Sequence, residues 1–319
     1  MAIKGLSKTI GRQEWLEPVE QALSKGVQST FQAGGSAGKK TQDFLHGTWL
    51  GHPLHAVLTD LPLGAWTAAI VFDSVEAITD RDEFGAAADA CVGFGLVGAI
   101  GAAVTGLTDW HQTDPPARRV GLVHGVMNLL GTSLFAASWV NRRKDRRGLA
   151  RGLSTLGYLI AGVSAQLGGH LVYDHRIGVD HAPAQGLLQD FVPVLDESEL
   201  LPGTPTRAAY NGLPILLVRR GDQVYAIAET CSHLGGPLAE GRLDGDVIQC
   251  PWHGSQFSVS DGSVVGGPAV HPQPCLETRV NNGQIEVRSE RSLRGVQTGD
   301  VTSAPPIAAE RLPRTGTDR

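Results

Sequence analysis

"CSHLGGPLAEGRLDGDVIQCPWHGSQF", Cys231–Phe257, decides how the second half of the chain folds. It carries two Cys/His pairs, Cys231-x-His233 and Cys250-x-x-His253, with sixteen residues between His233 and Cys250. Two such pairs at short spacing make a metal site on chemical grounds alone, and zinc would accept the set. The layout is unlike a zinc finger, because each pair mixes one Cys with one His. On either side the sequence reads as strands. "LPILLVRRGDQVYAIAETC", Leu213–Cys231, holds two short β-rich runs around Gly221-Asp222. "CLETRVNNGQIEVRSE", Cys275–Glu290, repeats the theme with Asn282-Gly283 as a hairpin turn. A small all-β domain is expected over residues 186–290.

Over about residues 190–290 the layout resembles a Rieske iron–sulfur protein. That resemblance implies a [2Fe–2S] cluster, with Cys231 and Cys250 on one iron and His233 and His253 on the other. Gly235-Gly236-Pro237, Pro251 and Gly254 suit two β-loops that grip a cluster from both sides. "GGPA", Gly266–Ala269, resembles the loop that shields it.

Two positions depart from the Rieske proteins of quinol-oxidising complexes. Those carry a disulfide between the loops, and here Trp252 stands where one of its cysteines would be. They also have a Tyr hydroxyl that donates to a cysteine sulfur, and here that position is Phe257. Ser255 remains as a donor to a bridging sulfide. Losing a hydrogen bond to sulfur lowers the potential, so a value in the low or middle part of the range of about −150 to +300 mV is expected. No room follows residue 290 for the mononuclear-iron domain of a Rieske oxygenase, which points to an electron carrier.

The first half has a different character. Four apolar segments, Leu54–Phe72, Ala90–Leu107, Val120–Val140 and Leu153–Val172, are each near the ~20 residues that cross a bilayer. Gly95, Gly98 and Gly101 would let helices approach closely. Trp49, Trp110 and Trp139 lie at segment ends, as an aromatic belt would. "HPLHAVLTDLPLGAW", "RRVGLVHGVMNLL" and "GGHLVYDHRIGVD" resemble a family of predicted four-helix bacterial membrane proteins of unknown function, the DUF2231 type, over about residues 45–182. The fold class expected is a four-helix transmembrane bundle followed by a small all-β Rieske-type domain. Its parts are a polar, partly helical leader (1–45), a four-span membrane domain (46–182), the Rieske domain (186–290) and a disordered tail (291–319). In the leader, Trp15, Val19, Leu23 and Val27 recur at spacing four, as in an amphipathic helix. "AGGSAGKKT", Ala33–Thr41, fails the phosphate-loop pattern and reads as a flexible basic linker.

With four spans, the bundle histidines gather on the side of the cluster domain. Intramembrane ionisable groups are costly and usually functional. His55, His124 and His170, with Asp60, are therefore candidates for a quinone pocket or for haem b, against the plainer reading of imidazoles bonded to helix ends. Cys91 reads as a packing residue and Cys275 as a strand residue. The N-terminus shows no short apolar signal core, so no cleavable signal is expected. The net charge of −5 and 18% charged residues point to no nucleic-acid partner. Four cysteines are too few for a disulfide scaffold. The loop "NRRKDRRGLARG", Asn141–Gly152, holds six basic residues and one acid, which tips the cluster domain towards the outside of a bacterial cell membrane.

The functional expectation is a membrane-anchored carrier passing single electrons between the quinone pool, or a haem in the bundle, and a redox partner protein. The alternatives are a tethered ferredoxin-type donor to a separate oxygenase or reductase, and a non-catalytic redox sensor.

Overall fold

A computed structural model describes residues 5–182 and 188–289. The tail expected over 291–319 lies outside them. Seven α-helices come first: α1 (Leu6–Gly11), α2 (Glu17–Ala33), α3 (Gly35–His46), α4 (Leu54–Thr79), α5 (Asp82–Trp110), α6 (Pro115–Arg142) and α7 (Arg147–Tyr173). The long helices α4 and α5 pack as one antiparallel pair and α6 and α7 as another, and the pairs meet along α5–α6 and α4–α7. Close approach depends on the glycines. A Cβ on Gly95 would sit 2.2 Å from the Trp66 indole nitrogen, and one on Gly98 would sit 2.8 Å from Leu61 Cβ. Trp66 then stacks on Phe135 at 4.0 Å, in a core with Ala69 and Val92.

Three of these helices, α4, α5 and α6, are long and apolar enough to cross a membrane. Their outer faces are apolar, with Phe94, Val97, Ile100 and Leu129 all more than half exposed, as helices facing lipid require. The fourth expected span, α7, is 27 residues long but more mixed, with Arg147, Arg151, Gln166 and His170 along it.

Charge is buried at the end of this domain remote from the β-domain. Arg142 reaches Asp73 Oδ1 at 2.8 Å and Asp89 Oδ1 at 2.9 Å. Arg147 bonds Glu76 at 2.7 Å and Asp89 at 2.8 Å, and Arg151 reaches Glu76 at 2.7 Å. Three of the six basic residues of Asn141–Gly152 are thus neutralised inside the protein.

The leader corrects one expectation. Ala33–Thr41 is not a flexible linker: α2 ends at Ala33 and α3 starts at Gly35. The kink is glycine-dependent, since a Cβ on Gly38 would fall 2.0 Å from the Phe31 carbonyl oxygen. Lys39 and Asp43, one turn apart, pair at 2.6 Å and hold the helix in place. The amphipathic helix expected in the leader forms as α2, with its apolar side outward. Trp15, Val19 and Leu23 point outward, and the buried positions are Glu20 and Ser24. Glu20 meets Arg118 at 2.5 Å and Ser24 donates to the His111 carbonyl at 3.0 Å. Charge pairing, not apolar burial, selects the inner face.

The second domain is all β. One sheet has the order β1 (Val192–Asp196), β10 (Gln284–Ser289), β9 (Cys275–Asn281), β4 (Gln223–Ala228), β3 (Leu213–Arg220), β2 (Thr206–Tyr210). The other runs β5 (Arg242–Asp244), β6 (Val247–Gln249), β7 (Gln256–Ser258), β8 (Val264–Gly266). Asn282 and Gly283 both take positive φ, 51° and 76°, as a two-residue hairpin between β9 and β10 requires. Cys231, Cys250, Phe257 and Ile248 belong to one buried core, so the two Cys/His loops rise from a packed base.

Candidate metal centre

The loop between β4 and β5 carries Cys231 and His233. The loop between β6 and β7 carries Cys250 and His253. Each loop is a tight turn closed on its cysteine. Gly235 N–H donates to Cys231 O at 2.9 Å, and Cys231 N–H donates to Gly236 O at 2.8 Å. Gly254 N–H donates to Cys250 O at 3.1 Å, and Cys250 N–H donates to Ser255 O at 2.8 Å. Both Gly235 and Gly254 have positive φ, 81° and 77°. Gly236 must lack a side chain, because a Cβ there would stand 2.7 Å from Cys250 Sγ.

The loops bring like ligands together. Both cysteines are free and buried. Cys231 hydrogen-bonds the Cys250 sulfur, and this bond, with the N–H groups of Trp252 and His253, brings the Cys250 thiol down to about 7 against the opposing effect of burial. Cys231, on the other side of that bond and buried, is pushed up. The N–H groups of His233 and Leu234 point at its sulfur. The His233 and His253 rings meet edge to face at 5.1 Å. Burial holds both imidazoles below the ordinary histidine value, and His253, His46 and His181 add to this at His233. Neutral imidazoles are what a metal needs. His233 Nδ1 is buried and bonded to nothing in the protein. Among the described residues, no three His, Cys, Asp or Glu converge on a single ion. A sulfur pair facing an imidazole pair suits two irons better than one tetrahedral zinc.

Residues 190–279 match the family described as the Rieske [2Fe-2S] domain, and residues 51–181 match the predicted membrane protein family DUF2231. Ferredoxin CarAc of Metapseudomonas resinovorans is 39% identical over 104 residues, which are 32% of this chain and 97% of that protein. The chain is a DUF2231 domain fused to a Rieske domain. The ferredoxin component of biphenyl 2,3-dioxygenase from Rhodococcus jostii (strain RHA1) is 34% identical over 30% of this chain and 91% of its own. The cytochrome b6-f complex iron-sulfur subunit of Chlorobaculum tepidum (strain ATCC 49652 / DSM 12025 / NBRC 103806 / TLS) is 29% identical over 28% of this chain and 49% of its own. The Rieske domain implies a [2Fe–2S] cluster, and the ligand chemistry above fits one. Helices α1–α3 fall outside both matched ranges.

Around the cluster ligands, the residues singled out from sequence divide. Ser255 is fully buried, and its Oγ accepts from Ala269 N–H at 3.1 Å, which leaves its own proton free to donate. Phe257 is fully buried in the core with Cys231 and Cys250 and offers no donor. Glu229 escaped sequence reasoning. It is 1% exposed, paired with Arg207 at 3.4 Å, and its charge acts on Cys250.

The edge of the Rieske domain that carries His233 and His253 faces the helical domain. Lys39 donates to Gly267 O at 2.7 Å, and Asp43 accepts from Gly267 N–H at 3.0 Å. His181 N–H donates to Ser232 O at 3.0 Å. His52 and His271 approach edge to face at 6.4 Å. His46, 2% exposed, is held by Asp109 at 2.7 Å and lies within electrostatic range of His233. Its Nε2 is buried without a hydrogen-bond partner. Asp114 and Arg118 act on His253 in opposite directions, the carboxylate upward and the guanidinium downward. No periodicity marked His46, and only its place before Gly47 at a helix end distinguishes it.

The histidines of the long helices come together only in part. His55 bonds the Ala102 carbonyl at 2.9 Å, with its ring against Gly106. His124 lies in electrostatic range of His55. Its Nδ1 meets the Ser164 carbonyl at 2.8 Å and its Nε2 takes the Asn128 amide at 3.0 Å. His170 is tied to Asp174 at 2.5 Å. Asp60 lies exposed in a shallow groove with Cys91 and Phe94. Five positions put it about 140° around α4 from His55. Of this set, His124 has both ring nitrogens bonded inside the protein, to Ser164 and Asn128, whereas His55 bonds through its Nδ1.

Proposed function

We propose that this protein is a membrane-anchored Rieske electron carrier that exchanges single electrons between the quinone pool and a redox partner protein. Cys231 and Cys250 hold one iron and His233 and His253 the other. When bound, the cluster supplies a one-electron couple. The N–H groups of His233, Leu234, Trp252 and His253 orient and stabilise the sulfurs. The observation that carries the reading is the placement of the His233/His253 edge against α3, the α5–α6 turn and the segment after α7. That placement sets the half-buried histidine edge of the centre beside the ends of the candidate spans, where a quinol headgroup resides. His46, His52, His181 and His271 supply hydrogen-bonding imidazoles there, and His55 and His124 lie deeper along the same helices.

In this reading α4–α7 all cross the membrane, and α1–α3 and the Rieske domain share one side. Arg143, Lys144 and Arg146 remain exposed together in the short remote loop, whereas on the cluster side Lys39, Arg118 and Arg119 are ion-paired and Lys25 and Lys40 stay exposed, fifteen positions apart. The free basic charge supports a cytoplasmic remote loop and an extracytoplasmic Rieske domain.

The 39% identity to ferredoxin CarAc favours a second reading, a tethered donor to a separate oxygenase. Such a partner would have to displace the helical domain from the histidine edge. Reconstitution of the full chain in nanodiscs separates the two. A quinol that reduces the cluster directly supports the first reading. Reduction only through a reductase protein, with onward transfer to an oxygenase, supports the second.

A further inference from the structure

Helix α2 presents three distinct faces, and they do not obey the usual order of apolar inside and polar outside. At roughly 100° per residue, Glu20, Ser24, Val27 and Phe31 form one stripe, and this stripe meets the protein through charge and hydrogen bonds. Arg118 forms an ion pair with Glu20 at 2.5 Å and donates to Ser24 Oγ at 3.1 Å. Arg119 bonds Glu17 at 3.2 Å and the Gly11 carbonyl at 3.1 Å. One exposed flank is apolar or small: Val19, Ala22, Leu23 and Gly26, with Trp15 one turn ahead. The opposite flank is polar: Glu17, Gln21, Lys25, Gln28 and Gln32. On the apolar flank Trp15 is 72% exposed, Val19 49% and Leu23 47%.

An exposed apolar flank beside an exposed polar flank describes a helix lying at a boundary between oil and water. The anchoring residues fix where that boundary is. Arg118 and Arg119 are the fourth and fifth residues of α6, and His111 directly follows α5. These are the ends of two helices long and apolar enough to cross a membrane, so α2 attaches at headgroup depth. A tryptophan at that depth suits the interface.

We propose that α2 is an in-plane membrane helix: Trp15, Val19 and Leu23 insert into the lipid interface while Gln21, Lys25 and Gln28 face water. The leader outside both matched families thereby sets the height of the Rieske domain above the bilayer, because α3 follows α2 directly and clamps Gly267. This inference rests on the reading that α4–α6 cross a membrane.

The test is photo-crosslinking in phospholipid nanodiscs of the full cluster-loaded chain, with a benzophenone side chain replacing one residue at a time. Folding is checked by the cluster signal of each variant. Positions 19 and 23 are expected to give phospholipid adducts by mass spectrometry, with loss of the adduct at positions 21 and 28. Val97, 69% exposed on α5, is the control. Lipid adducts at 97 but not at 19 or 23 overturn the inference and leave the membrane reading intact. No adduct at 97 overturns that reading itself. Chain-to-chain crosslinks at 19 and 23 in place of lipid adducts overturn the inference in favour of a second copy on this face.

Discussion

Asp43 on α3 accepts the backbone N–H of Gly267 at 3.0 Å across 224 positions of the chain. With Lys39 on the Gly267 carbonyl, two side chains one helical turn apart hold both sides of one residue in the loop beside the cluster ligands. A Cβ on Gly267 would fall 2.9 Å from both Asp43 Oδ1 and Thr48 Cγ2, so the contact is tight. It joins a leader helix to the Rieske domain.

Asp43→Ala should loosen this junction. A hydrogen bond to a charged group contributes about 1.5–3 kcal/mol, and part exposure of Lys39 and Asp43 puts this one at the lower end. Hydrogen exchange of the 264–274 loop should speed up by about tenfold, as ~1.4 kcal/mol implies. Unchanged exchange would show that the junction is held elsewhere.

Two buried positions should tune the potential in the same direction. Glu229→Gln removes a buried negative charge that acts on Cys250, and Phe257→Tyr adds a donor beside the cysteines. Each change favours the reduced, more negative cluster. Protein-film voltammetry should show a rise of about 40 mV for each ~1 kcal/mol of interaction. A fall in either variant would contradict the assignment.

The metal-free protein should lose stability in acid. Burial depresses His233 and His253 below the ordinary value of 6.5 in the folded chain. Below 6.5 the unfolded chain binds protons that the folded chain refuses, so this contribution is present above that pH and is lost as pH falls towards the folded values. Thermal scans should give a lower Tm at about pH 5 than at about pH 8, with a weaker dependence in His233→Asn. A flat profile would show that the two rings are solvated.

At the far end of the helical domain, Arg142→Ala should leave Asp73 and Asp89 without their shared partner and destabilise the chain by about 3–5 kcal/mol. Arg142→Met with Asp73→Leu should recover most of that loss. Unfolding in detergent measures both, and a double variant no better than the single one would show that the charges matter for more than their pairing.

What was legible in the sequence was local. Cys231, His233, Cys250 and His253 announce their loops by spacing, and Asn282-Gly283 announces its hairpin. The glycines at 95 and 98 mark where α4 comes close. What was hidden depends on distant partners. The apolar spacing of Trp15, Val19 and Leu23 finds a helix but not its inner face, because Glu20 meets an arginine in α6. The Ala33–Thr41 stretch is helical, and the target that Lys39 and Asp43 reach in the Rieske domain lies 224 positions or more away. Arg142, Arg147 and Arg151 look like a basic loop until Asp73, Glu76 and Asp89 arrive from two other helices. His46 gains meaning only from Asp109 and His233.

Electron paramagnetic resonance of the dithionite-reduced full chain in membranes tests the central claim most directly. The account predicts a Rieske-type signal, lost in Cys231→Ala and in His253→Ala while both variants remain folded in the membrane. A chain that binds zinc in place of iron, or a Rieske signal that survives loss of His253, would contradict it.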